Sequence, residues 1–214
     1  VIDQQQVLKS SEIEKIFIEK NISEITQTFS PSFDEKFSIL DPASSGIIIV
    51  GPWRGRPKEL TLYREALRKW HALTGWPIFA DPLSGINNDQ KGLIYHWDLL
   101  LSSGYFKCIE ETQILRLGPL PSSKSLKLWL KKYGKIQLLI TEGDNRNLDP
   151  IGKSIQFSDG FSCWVEKIIT KISKKNEIPR KTTANSLSLK LSQFDSFIST
   201  WLDKKLLLGR KITE

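Results

Sequence analysis

The sequence predicts an α/β domain in which a mainly parallel sheet carries helices on both faces. Three observations predict it. GIIIV (46–50) and IQLLIT (136–141) are continuous apolar runs, the pattern of strands buried on both sides. Between such runs the apolar residues fall at helical spacing, as Leu60, Tyr63, Leu67 and Trp70 do. Strand and helix patterns alternate five times, the order that a parallel sheet with crossover helices requires.

Taken in order, residues 1–45 read as an N-terminal linker or extension. Ser11-Glu12-Ile13-Glu14 reads as a capping box before a short helix with Ile13, Ile16 and Phe17 on one face. Pro31, Pro42 and several Ser then mark a connecting segment. The domain spans 46–207 and opens on the strand GIIIV. Pro57 pre-sets the first turn of a helix. WPIFA (76–80) is the second strand, 81–90 a polar loop, and Leu93 to Ser103 a short helix. QILRL (113–117) is the third strand, and a helix bearing Leu126, Trp129, Leu130 and Tyr133 follows from near Ser122. IQLLIT is the fourth strand and SIQF (154–157) the fifth. A helix with Phe161, Trp164, Val165, Ile168 and Ile169 comes next. Residues 186–207 form a last helix whose stripe is Leu187, Leu191, Phe194, Ile198 and Trp201, and 208–214 are a C-terminal linker. The four central strands read as apolar throughout, as burial on two faces demands.

Composition bounds the function classes. At 214 residues, 39% hydrophobic and 26% charged, the chain has the make-up of an ordinary globular domain. No apolar run approaches the roughly 18 residues of a membrane span, and no signal peptide opens the sequence. A soluble, cytoplasmic protein without a membrane partner is expected. The absence of Met reads as a piece of a longer polypeptide. Cys108 and Cys163, with no CxxC pair, read as buried free thiols of a reducing compartment. The net charge of +7 comes from 23 Lys against 8 Arg, dispersed over many segments. Such charge solvates a surface; it does not form the Arg- and aromatic-rich stripe of a nucleic-acid binder. The Lys167–Lys181 tract is where an acidic partner would bind, if one does.

Two loops carry possible anion chemistry. GPLPSSKS (118–125) falls one residue short of the phosphate-loop pattern, with Ser123 where its second glycine belongs. Pro119 and Pro121 lack N–H groups, so two donors of a phosphate cradle are missing. Ser122 to Lys124 nevertheless stand at a helix start outside the carboxyl end of a parallel strand, where open α/β sheets collect ligands. Lys124 is either an anion-binding residue or a solvated lysine in a first helical turn. GPWRGRPK (51–58) offers Arg54, Arg56 and Lys58 before a helix but lacks dinucleotide spacing. In TEGDNRNLDP (141–150), Gly143-Asp144 superficially matches a thiamine-diphosphate motif. Asn145 stands in place of its third residue, and Asn87-Asn88 lies upstream, so a turn shaped by Asp144, Asp149 and Pro150 is expected. His71 and His96 lack neighbouring ligand sets, no G-x-S-x-G elbow occurs, and no metal site is expected.

GIIIVGP, LTGWPIFADPLSG, DLLL, ILRLGPLPSSKSLKLWL and Asp149-Pro150, in this order and spacing, resemble the central domain of the MenD family. These are the 2-succinyl-5-enolpyruvyl-6-hydroxy-3-cyclohexene-1-carboxylate synthases of menaquinone biosynthesis. The resemblance covers about residues 46–170. Its ADPLSG and RLGPLPSSK blocks look closest to cyanobacterial and plant-type members, which serve phylloquinone synthesis. It implies a Rossmann-like three-layer domain between two others of the same polypeptide, in a homodimer or homotetramer. The parent so implied uses thiamine diphosphate and Mg²⁺, decarboxylates 2-oxoglutarate and adds the succinyl semialdehyde unit to isochorismate. This chain would hold no cofactor and no catalytic residue. It would lend the substrate site Lys124, which matches a family lysine, with Ser123 beside it. A family feedback site built from arginines has no counterpart at Pro119. The alternative is a stand-alone nucleotide- or anion-binding regulatory α/β domain using GPWRGRPK or GPLPSSKS.

Overall fold

A computed structural model describes residues 39–103, 112–175 and 182–213. The capping box at Ser11–Glu14, Cys108 and residues 176–181 of the Lys-rich tract lie outside them. Five strands form one all-parallel sheet: β1 (Gly46–Val50), β2 (Ile78–Ala80), β3 (Thr112–Leu117), β4 (Gly134–Ile140) and β5 (Ser154–Phe157). Their order is β2-β1-β3-β4-β5, one of the two common doubly wound arrangements. The helices are α1 (Leu60–Thr74, led by a 3₁₀ turn at Pro57–Glu59), α2 (Trp97–Ser102), α3 (Lys124–Tyr133), α4 (Phe161–Lys175) and α5 (Thr182–Thr213). None of the described helices is long and apolar enough to cross a membrane.

The period-2 pleat sends alternate side chains of β1 into two cores. Ile48 and Val50 meet Leu67 and Trp70 of α1 and Phe161 and Trp164 of α4. Ile47 and Ile49 meet Trp97 of α2, Leu126 and Leu130 of α3, and Leu191 of α5. The predicted three-layer arrangement is therefore observed. In the first core Trp70 packs edge-on against Trp164 (4.8 Å between ring centroids) and Trp76 (5.6 Å). Gly46 makes room for this, because a Cβ there would come within 2.3 Å of the Trp76 ring. Gly75 ends α1 in the left-handed conformation (φ 68°), its N–H bonded to the His71 carbonyl.

Several boundaries differ from the sequence reading, each for a hydrogen-bonding reason. The second strand shrinks to three residues, since Pro77 has no N–H and joins the ladder only through its carbonyl, which accepts from Ile48. The helix expected from Leu93 begins at Trp97. Gly92 to Ile94 instead run beside β2, Ile78 N donating to Gly92 O and Ile94 N to Ile78 O. Packed structure starts upstream of Gly46: Leu40 is buried, and Gln113 exchanges two hydrogen bonds with the Asp41 backbone. At the other end α5 runs through Leu207 to Thr213.

The expectation of wholly apolar central strands is corrected by Arg116 in β3 and Gln137 in β4, both buried. Arg116 is 1% exposed and its guanidinium lies 2.6 Å from the Asp149 carboxylate. Asp149 also accepts from the backbone N–H groups of Ile151, Lys153 and Ser154. A charge is tolerated inside this sheet because its partner arrives with it. Burial alone would push the Asp149 carboxyl up; the hydrogen bonds from Arg116 and Ser154 outweigh that and hold it well below the usual carboxylate range.

Replacing Asp149 with Ala leaves the Arg116 guanidinium buried without a counter-charge, so Asp149→Ala is expected to cost about 3–5 kcal/mol in urea unfolding. A depressed carboxyl stabilises fully above its unfolded value of about 3.9 and loses that effect as pH falls through the folded value. The gap between wild type and variant should therefore narrow below about pH 4. A cost under about 1 kcal/mol at pH 7 would contradict the assignment.

Candidate functional site

The loops after β1, β3, β4 and β5 gather at the carboxyl edge of the sheet, where doubly wound folds bind ligands. The order reverses between β1 and β3, so the crevice between their ends is the usual nucleotide position. Here backbone fills it. Gly51 N–H donates to the Leu117 carbonyl at 2.8 Å, and a Cβ on Gly51 would fall 1.6 Å from the Pro119 carbonyl oxygen. The void left among Trp53, Tyr63, Leu117 and Leu148 is about 10 Å³, near the lower limit for one water.

Two backbone donors of the GPLPSSKS loop have partners within the domain. Gly118 N–H goes to Ile140 O and Ser123 N–H to Pro121 O. Pro119 and Pro121 have no N–H, so the loop lacks two of the donors that a phosphate cradle uses. Ser123 precedes α3 and acts as its cap: its hydroxyl accepts from Leu126 N–H at 3.0 Å and donates to Asp98 of α2. Ser125 and Ser102 hydroxyls meet at 3.0 Å, a second tie between the same helices. Lys124 is the first residue of α3 and exposed, with no hydrogen-bond or ion-pair partner among the described residues. Ser123 and Lys124 are thus adjacent at a rigid corner, one side chain committed and the other free to reach outward.

A larger cleft of about 760 Å³ opens between the starts of α1 and α4. Arg54, Arg56 and Glu59 line one side; Glu142, Asp159 and Cys163 line the other. GPWRGRPK reads in the sequence as a candidate anion loop, or as exposed arginines before a capped helix. The fold instead sets it against the turns after β4 and β5, and no single stretch of sequence contains that pairing. Ladder bonds hold the far wall: Thr141 N–H to Phe157 O, Gly143 N–H to Ser158 O, and Gly160 N–H to Thr141 O. Glu142 then caps α4, its carboxylate accepting from Phe161 N–H at 2.9 Å. Burial pushes the Glu142 carboxyl up; the Phe161 N–H opposes this and the Glu59 charge adds to it, leaving the carboxyl raised. Tyr63, buried behind it, is raised well above the ordinary phenol value by burial and then by Glu142.

The remaining candidates have structural partners. Arg146 grips both carboxylate oxygens of Asp144 (2.7 and 3.0 Å), and these hydrogen bonds bring the Asp144 carboxyl down to about 2. His71 contacts the Trp76 carbonyl at 2.8 Å through Nδ1. His96 meets Asp195 of α5 at 2.9 Å. Cys163 is a free, half-buried thiol at the cleft, not a fully buried one. No cluster of three or more His, Cys, Asp or Glu that could hold a metal occurs among the described residues.

A raised carboxyl favours the folded state most when protonated, so its contribution declines as pH climbs through the folded value. Gln at the same place keeps an acceptor for Phe161 N–H and carries no charge. Glu142→Gln should therefore gain in Tm relative to wild type between pH 4 and pH 7.5. A difference that is flat or falls with pH would show that the Glu142 carboxyl is not raised.

No family model matches the chain. Among curated proteins it is 54% identical over 213 residues to the 2-succinyl-5-enolpyruvyl-6-hydroxy-3-cyclohexene-1-carboxylate synthase of Prochlorococcus marinus strain NATL1A. It is 55% identical over 214 residues to that of strain NATL2A. Both matches take in 100% of this chain and 36% of the relative. A synthase of the same name from Synechococcus sp. strain CC9902 matches at 45% identity over 58% of this chain and 22% of its own length. The chain spans about a third of the length of the relatives it matches from end to end. Identity above one half, in matches that cover the whole chain, places this chain in the family of 2-succinyl-5-enolpyruvyl-6-hydroxy-3-cyclohexene-1-carboxylate synthases, as a domain-sized segment.

Proposed function

We propose that this chain is the central domain of a polypeptide that decarboxylates 2-oxoglutarate and joins the resulting succinyl semialdehyde unit to isochorismate. The observation that carries the reading is the end-to-end identity of 54–55% with relatives bearing the synthase name. The parent is a cytoplasmic homodimer or homotetramer serving menaquinone or phylloquinone synthesis. Thiamine diphosphate with Mg²⁺ supplies the carbanion chemistry, and the residues described here do not fit that group. The Gly143-Asp144 pair points its carboxylate at Arg146, and no acidic cluster among the described residues is built for the metal. The cofactor then belongs to other parts of the parent, and the isolated chain neither binds it nor turns over substrate. Titrating the chain with thiamine diphosphate and Mg²⁺ in a calorimeter is expected to give no saturable heat; micromolar binding would overturn the division of labour.

What this domain contributes is a positive charge carried on a fixed root. Both substrates are dicarboxylates, and the parent's site has to hold carboxylates while carbon–carbon bonds break and form. Lys124 sits at the start of α3, where the helix dipole adds partial positive charge on the same side. Ser123 fixes that first turn through Leu126 and Asp98, so the lysine root does not wander while its ammonium follows the substrate. The loss of one charged hydrogen bond costs about 1.5–3 kcal/mol. In the full-length parent, Lys124→Ala should lower kcat/KM roughly 10- to 150-fold with folding and cofactor affinity unchanged. A change within about twofold for both substrates would make Lys124 a solvated helix-start lysine.

A further inference from the structure

The apolar stripe of α5 outruns the domain it packs on. Leu187, Leu191 and Phe194 pack on the core shared with α2 and α3. Asp195 latches this half down, accepting from the backbone N–H groups of Tyr95 and His96. From Ser196 onward no described side chain is buried. Yet the helix continues to Thr213, and its apolar residues continue in register. Phe197 is 66% and Trp201 51% exposed, four apart and so neighbours on one face. Ile198 and Leu202 lie half-buried beside them. The Lys205 ammonium stands 5.7 Å over the Trp201 ring and edges the strip with charge.

We propose that the Phe197–Trp201 face of α5 is the docking surface for an adjoining domain of the same polypeptide. This rests on the reading of the chain as one domain of a longer synthase. Relatives matched over this whole chain carry nearly two-thirds of their length outside it. A domain joined beyond α5 is tethered close to the strip, at an effective concentration on the order of millimolar. The size of the strip favours such a tethered partner over a second copy. About 16 Å of helix over the described side chains 196–206, one helix-width across, offers on the order of 200 Å². That falls short of the roughly 800 Å² per partner of a stable free complex, whereas contacts between domains of one chain tolerate less. Two adjacent aromatics followed by a lysine also match the apolar centre and charged rim of such contacts.

Hydrogen exchange on the full-length polypeptide tests this. Amides of 197–206 should be protected there and exchange faster in the 214-residue chain alone. The double substitution Phe197→Ser with Trp201→Ser should raise their exchange in the full-length protein by roughly tenfold and leave 187–195 unchanged. If the double variant does not fold, a photoreactive benzoylphenylalanine at position 197 should cross-link within the same polypeptide, to residues outside this chain. The proposal fails if 197–206 are equally slow in the chain alone, because residues of the chain itself then cover the strip. It fails equally if protection appears with a concentration-dependent dimer in sedimentation, or if the cross-link joins two copies. Exchange is read whatever reaction the polypeptide runs, so failure of the synthase assay would leave the docking result standing.

Discussion

A guanidinium inside a sheet has to be neutralised where it sits, and the Arg116–Asp149 pair imposes that condition on half of this domain. β4 and β5 run parallel, so the chain has to return the full length of the sheet between them. Residues 141–153 make the return without a helix. Asp149 organises them instead, drawing in three backbone N–H groups and offering its remaining charge to β3. Position β5 follows from that turn, and the wall of the large cleft follows from β5, because the bonds from Thr141 to Gly160 close across its end. Glu142 caps α4 only because this edge is in register.

The carboxyl edge therefore holds two unlike places. At the switch point the main chain of the β1 and β3 loops occupies the space in which doubly wound domains lodge a nucleotide. Farther along, the arginines of the β1 loop face the acids that end β4 and begin α4 across open volume. Lys124 belongs to neither: it stands at the α3 corner, on the helix layer opposite α1 and α4.

The strands and the two-faced burial were legible because β-branched runs such as GIIIV have few other uses. Boundaries were less so where backbone groups chose partners that no side chain announces, as at Gly92–Ile94 alongside β2. Arg116 was unreadable as a core residue, since its counter-ion lies 33 positions away in a stretch that looked like a simple turn. Of the candidate site, the corner at Ser123–Lys124 was visible because a cap and a helix start are local events. The pairing of the Arg54–Arg56 loop with Glu142 was not, because only the sheet order brings those segments together.

The filled crevice bears on how such a domain could be changed. Gly51 already has no side chain, and what it meets is a carbonyl of the Pro119 peptide. Truncating side chains, the usual single step by which a cavity is enlarged, does not relieve this contact, because the obstruction is main chain. Room for a nucleotide between these two loops would take deleting or rerouting loop residues, a change of chain length and not of residue type. Point substitutions can alter the reach of Lys124 or the charge of the cleft, but they leave this main-chain contact in place.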